Sequence, residues 1–112
     1  MEIYVVRIEY PGGRHELREL GPGRYRLGRD GGDIALGDPQ VSGIHAEIVL
    51  GDGRATYTDL GSTNGSTLNG QRLTGSVPMP EQEPIQLGQS SVALLQVIRK
   101  GQTLVASAAN VS

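Results

Sequence analysis

Residues 44–59 read IHAEIVLGDGRATYTD, and this stretch decides the fold. Residues 44–50 (IHAEIVL) form a short run rich in β-branched and aliphatic side chains, as a strand requires. The Gly51-Asp52-Gly53 that follows is a hairpin signal, because a two-residue turn between strands needs backbone conformations that glycine and aspartate adopt easily. Residues 54–59 (RATYTD) answer as the returning strand, so the spacing predicts an antiparallel pair.

The same rhythm extends outward in both directions. On the N-terminal side, residues 2–9 (EIYVVRIE) read as a strand, Pro11-Gly12-Gly13 as a turn, and residues 14–20 (RHELREL) as a half-buried strand. Gly21-Pro22-Gly23 breaks the chain again. Residues 24–27 then place Tyr25 and Leu27 on one face and Arg24 and Arg26 on the other, and residues 33–36 (DIAL) make a short strand between glycine loops. On the C-terminal side, brief strands are expected around Thr67-Leu68, Arg72-Leu73 and residues 85–87, then a longer one over residues 91–99. Only this last segment could compete as a helix, and its β-branched Val92, Val97 and Ile98 argue for a strand. Strands recurring every eight to twelve residues or so, without internal repeats, predict an all-β antiparallel β-sandwich.

Composition agrees and narrows the function. The chain has 112 residues, room for one domain, with 17 glycines, four tyrosines and neither Phe nor Trp. Its core must be built from Val, Ile and Leu, and its many glycines imply many turns. Ten basic against twelve acidic residues give a formal net charge of −2, which argues against a nucleic-acid coat. No apolar run approaches a membrane span, and the N-terminal residues lack the features of a secretion signal. With no cysteine, disulfide scaffolds and thiolate metal sites are excluded. The expectation is a cytoplasmic domain over residues 1–100 without cofactor or metal. Residues 101–112, small and polar, read as a flexible tail or linker.

Three loops carry more polar chemistry than turn-making needs. One is Gly28-Arg29, another is Val41-Ser42-Gly43-Ile44-His45-Ala46, and the third runs from Asp59 through Ser62-Thr63-Asn64-Gly65 to Asn69-Gly70. Together they offer a forked permanent cation, hydroxyl donors and amides, a set suited to a tetrahedral anion on an extended peptide.

These motifs, in this order, resemble the forkhead-associated (FHA) domain, with the likeness running from about Tyr25 to Leu87. FHA domains are β-sandwiches of the SMAD/FHA type whose loops at one end bind phosphothreonine in partner proteins. The resemblance implies that Arg29 grips the phosphate and that the Ser42 hydroxyl donates to it. It also implies that Thr63 and Asn64 contact the phosphothreonine and the peptide main chain. His45 resembles the histidine that braces the loops, Gly28 would give the backbone freedom beside Arg29, and Asn69 and Gly70 take a supporting part. Two positions depart from the usual pattern. Gly43 follows the loop serine, so any phosphate contact there must come from its N–H, and Glu83-Pro84 precedes the late Ile85-Gln86-Leu87-Gly88 strand. Arg72, just beyond Asn69-Gly70, is a candidate for peptide specificity. The implied partner is a phosphothreonine protein made by a Ser/Thr kinase, with the domain sitting inside a larger multidomain protein.

Other readings of the same residues were weighed on their chemistry. An isolated arginine at a strand end is usually solvated, and an isolated loop serine is usually a turn residue. Ser42, His45 and Asp59 supply the residue types of a hydrolase triad. Yet no Gly-x-Ser-x-Gly elbow surrounds Ser42, and a strand starting at Ile44 would turn Ser42 and His45 to opposite faces. The alternative of a scaffold that binds partners independently of phosphate stands beside the phosphopeptide reading, because the sandwich itself says nothing about ligand.

Overall fold

The structure is a computed structural model that describes residues 1–99. The tail expected over residues 101–112 lies outside the described residues. Two sheets face each other. The first orders its strands β2-β1-β11-β10-β7-β8 and the second β4-β3-β5-β6-β9. In chain order these are β1 (Glu2–Glu9), β2 (His15–Leu20), β3 (Gly23–Gly28), β4 (Ile34–Ala35), β5 (Ala46–Gly51), β6 (Arg54–Asp59), β7 (Thr67–Leu68), β8 (Gln71–Arg72), β9 (Ser76–Pro78), β10 (Ile85–Leu87) and β11 (Ser90–Arg99). The β-sandwich expected from strand spacing is the fold observed. Among the described residues no helix is long and apolar enough to cross a membrane.

The core follows from the period of two. Tyr4, Val6 and Ile8 of β1 turn inward, as do Ile48 and Leu50 of β5, Tyr57 of β6, and Ile85 and Leu87 of β10. Tyr4 and Tyr57 are the largest fully buried side chains, taking the space that Phe or Trp fills elsewhere. The decisive hairpin closes as expected. Leu50 pairs with Ala55 and Gly51 with Arg54, leaving Asp52 (φ 54°) and Gly53 (φ 73°) as a two-residue turn with both central residues left-handed.

Four local departures from the sequence reading have physical causes. First, the strand expected from Ile44 begins only at Ala46, because His45 is held in the preceding loop by its ring. Second, β4 runs parallel to β3, not antiparallel. The chain folds back over residues 29–33, and Asp33 anchors the return by accepting the Arg26 N–H at 2.8 Å while donating its own N–H to the Arg26 carbonyl at 2.9 Å. A two-residue ladder needs no crossover helix. Third, β9 is not among the expected strands; it is three residues long and carries Pro78, which has no N–H to give a ladder. It survives because it lies at the edge of its sheet, where the missing proline N–H faces no neighbour. Fourth, β8 covers Gln71–Arg72 in place of Arg72-Leu73.

One end of the sandwich collects residues 28–33, 38–45 and 59–66, while the other holds the Asp52–Gly53 turn. At that far end Glu2 pairs with Arg99 across β1 and β11, and the Gly53 N–H donates to Glu2 and to the Tyr4 hydroxyl.

Candidate functional site

The site is built outward from β3. Its last residue, Gly28, is buried, and a Cβ there would lie 1.9 Å from the Gly43 carbonyl oxygen. The glycine is needed for space, because the 41–45 loop lies directly against the strand end. This replaces the expectation that Gly28 serves to free the backbone, as only its missing side chain is used. Arg29 follows on the exposed side. Its N–H donates to the Ser42 carbonyl at 3.0 Å and its carbonyl accepts from Gly37 at 2.8 Å, so its main chain is tied on both sides. Its Nε donates to the Val41 carbonyl at 2.9 Å. Among the described residues no carboxylate pairs with it. The guanidinium is thus aimed by one bond while its two terminal nitrogens remain for a ligand.

His45 connects the two recognition loops. It is fully buried, its Nδ1 accepts the Ser42 N–H at 3.0 Å, and its Nε2 lies 2.9 Å from the Gly65 carbonyl and 3.5 Å from Asp59 Oδ2. An N–H can only donate, so Nδ1 is the acceptor and Nε2 carries the proton. The ring thus links the Ser42 main chain to the Gly65 carbonyl. The triad argument needs correcting on one point. His45 is not on a strand, and Ser42, His45 and Asp59 do lie close together. The imidazole, however, faces the Ser42 main chain. The Ser42 hydroxyl oxygen instead accepts the Thr63 N–H at 3.0 Å, which leaves its own proton free to donate outward.

Asn64 reaches in the opposite direction, donating from Nδ2 to the Gln40 carbonyl at 2.9 Å and keeping its Oδ1 as an acceptor. Thr63 and Asn64 are both exposed beside Ser42 and Gly43, so Arg29, Ser42, Gly43, Thr63 and Asn64 all come to one rim. Asn69 and Gly70 stand apart from it. They form a second two-residue left-handed turn (φ 52° and 80°) between β7 and β8, and the Asn69 amide donates to Glu83 at 3.1 Å. Their support is to the hairpin behind the loop, not to the loop itself. Arg72, on that hairpin, places its guanidinium carbon 2.7 Å from where a Cβ on Gly65 would sit.

Two aspartates do structural work that the sequence reading passed over or assigned only to turns. Asp38, fully buried, accepts from the N–H groups of Gln40 and Gln89 and the hydroxyl of Ser90, all within 2.9 Å. It thereby fastens the loop that leads to Ser42 onto the β10–β11 turn. Asp59 accepts from the Gly61 and Ser62 N–H groups and from the Ser62 and Ser66 hydroxyls, the longest bond being 2.9 Å. Ser62 is consequently spent inside the loop, since its hydroxyl also accepts the Gly65 N–H. Gly61-Ser62 just after Asp59 signals such a turn, but two of the three donors to Asp38, at Gln89 and Ser90, lie some fifty residues away and leave no local trace.

Both carboxyls should report on acid stability. Burial pushes each upward, yet the hydrogen bonds they accept, led by Ser90 for Asp38 and by Ser62 for Asp59, hold both below the usual aspartate value. A lowered folded pKa means a contribution that is complete above the unfolded pKa of about 3.9 and lost as pH falls through the lower folded value. Melting temperature should therefore be nearly flat with respect to these groups between about pH 7 and 5 and fall steeply below about 4. Thermal melts across that range check this, and Asp38→Asn should lower stability at neutral pH while flattening the acid limb.

The family model for the FHA domain matches residues 25–88, more than half of the chain and the whole of this rim. The chain belongs to the FHA domain family. Solved FHA structures superpose on it closely. The FHA domain of a Chlamydia trachomatis protein has a TM-score of 0.74 at 22% identity, covering 88% of this chain and 99% of that one. An FHA domain characterised for phosphothreonine-dependent interactions has a TM-score of 0.68 at 28% identity, covering 85% of this chain and 96% of its own. Mycobacterium tuberculosis EmbR, in complex with a low-affinity phosphopeptide, has a TM-score of 0.67 at 26% identity over 80% of this FHA chain but only 24% of EmbR. No match was found among curated proteins.

Proposed function

We propose that this FHA domain binds phosphothreonine-containing segments of partner proteins. The observation that carries the reading is Arg29, an exposed guanidinium with no acidic partner among the described residues, aimed by the Val41 carbonyl at the rim where Ser42 keeps a free hydroxyl proton. Arg29 and Ser42 hold the phosphate, with the Gly43 N–H beside them. Thr63 and Asn64 hold the peptide main chain, the Asn64 Oδ1 accepting a peptide N–H. Gly28 and His45 keep the two loops at the right separation. The phosphopeptide bound to EmbR and the phosphothreonine dependence of another FHA relative support this assignment. The domain acts as an interaction module and not as an enzyme. It recruits its partner in the cytoplasm after a Ser/Thr kinase has acted, within a larger protein, as the EmbR coverage illustrates.

Charge-assisted hydrogen bonds contribute about 1.5–3 kcal/mol each. Three or four of them, less the cost of ordering the peptide, give about −8 kcal/mol and an affinity near micromolar. Titration with phosphothreonine, phosphoserine and unphosphorylated peptide libraries tests the reading. Binding confined to phosphothreonine supports it, whereas silence from all three at high micromolar concentration, or equal binding to all, replaces it with the phosphate-independent scaffold.

A further inference from the structure

Arg72 is an exposed cation that the phosphate-binding set does not use. It belongs to β8, the edge strand of the six-stranded sheet, and pairs across the ladder with Thr67. The next residue, Leu73, donates its N–H to the Ser66 carbonyl at 2.9 Å, which draws β8 against the end of the recognition loop. As a result the Arg72 guanidinium lies on the bare Cα of Gly65, with Nε and the guanidinium carbon each 2.7 Å from the position a Cβ would take. Gly65 directly follows Asn64, and its carbonyl is the one that receives the His45 ring. The charge is therefore held against the recognition loop.

No carboxylate pairs with Arg72 among the described residues, and Glu83, which meets the same hairpin, is taken by the Asn69 amide. A planar guanidinium resting on a glycine presents its outer edge to whatever crosses the loop, in a geometry that favours forked contact with an anion. We infer that Arg72 is a specificity residue: the preferred ligand carries a second anionic side chain, an Asp or Glu carboxylate or another phosphate, near its phosphothreonine. This rests on the phosphothreonine reading, since the peptide must already lie over Thr63 and Asn64 to reach Arg72.

The test is a set of phosphothreonine peptides in which each flanking position in turn carries Ala, Asp, Lys or phosphoserine, titrated against the wild-type chain, Arg72→Gln and Arg72→Glu. An exposed ion pair contributes little, so the expected preference for Asp over Ala at one position is about two- to fivefold, larger for phosphoserine, and smaller in high salt. In Arg72→Gln the Asp-to-Ala ratio should fall to about one, and in Arg72→Glu the same position should favour Lys. A wild-type domain that binds phosphothreonine peptides with no flanking preference overturns the inference alone, as does a preference that survives in Arg72→Gln. Phosphoserine gaining where Asp does not would narrow the second anion to phosphate. Failure of every phosphothreonine peptide to bind the wild-type chain overturns this inference and the phosphothreonine reading together.

Discussion

Replacing Arg29 with alanine should abolish measurable phosphopeptide binding while leaving the domain folded. The two outcomes separate because the side chain contributes almost nothing to the fold. It is exposed and, among the described residues, has no ion pair and makes a single side-chain hydrogen bond, to Val41. Losing that bond costs about 1 kcal/mol of stability, a melting shift of a few degrees. In the proposed complex the same side chain would supply the fixed positive charge and a fork of donors to the phosphate. Losing two charge-assisted bonds of about 1.5–3 kcal/mol each moves the affinity from near micromolar by two orders of magnitude or more, roughly to the millimolar range. Calorimetric titration with a phosphothreonine peptide, beside a thermal melt of the same sample, reads both. Arg29→Lys should fall between, because lysine restores charge but not the planar fork. A variant that still binds within a few-fold of wild type would remove Arg29 from the site.

The substitution with the largest expected effect on stability is Gly28→Ala. Most glycine replacements fail because of backbone conformation, but Gly28 is not left-handed, and the obstacle is the Gly43 carbonyl 1.9 Å from the new methyl group, with the Gly31 carbonyl at 3.0 Å. Both obstacles are main chain, so no side chain can swing aside. The 41–45 loop must lift away from β3, which strains the Arg29 N–H bond to Ser42 and the His45 N–H bond to Leu27. Overpacking typically costs about 1–3 kcal/mol, and this site should lie at the top of that range or above it, lowering the melting temperature by about 12–20 °C. Binding should weaken as well, since the loop that moves carries Ser42. Gly21→Ala is the matched control: that position has ordinary backbone geometry and open space around the added methyl, so it should melt within a degree or two of wild type.

These two residues also show what was legible in the sequence and why. Arg29 was readable because a surface arginine beside hydroxyl-rich loops, in an order that resembles a known family, has few other uses. Gly28 was readable as important, but for the wrong reason. Its role depends on a carbonyl fifteen residues away, and sequence carries no signal for a contact of backbone with backbone. The strands with strict alternation, such as β1 and the β5–β6 hairpin, came through because burial on one face imposes the period directly. β9 and the parallel β4 did not, since a two- or three-residue ladder is set by what it lies beside and not by its own composition. Asp38 is the clearest omission. Nothing near it in sequence marks it as buried, and its partners Gln89 and Ser90 lie some fifty residues on, at the turn between β10 and β11.

The pairing of Glu2 with Arg99 has a practical meaning for how such a domain is carried. Residues 2 and 99 therefore stand side by side, at the pole opposite the Arg29 rim. A neighbouring domain, a surface or a reporter attached next to residue 2 or residue 99 leaves the rim facing outward, and attachment beside both adds a single anchorage. The loops can then search the volume around that anchor, where a tethered partner is met at an effective concentration set by linker length. Joining residue 2 to residue 99 by a short linker and opening the chain at the Asp52–Gly53 turn would move the anchor along the same pole and still keep it away from the Arg29 rim.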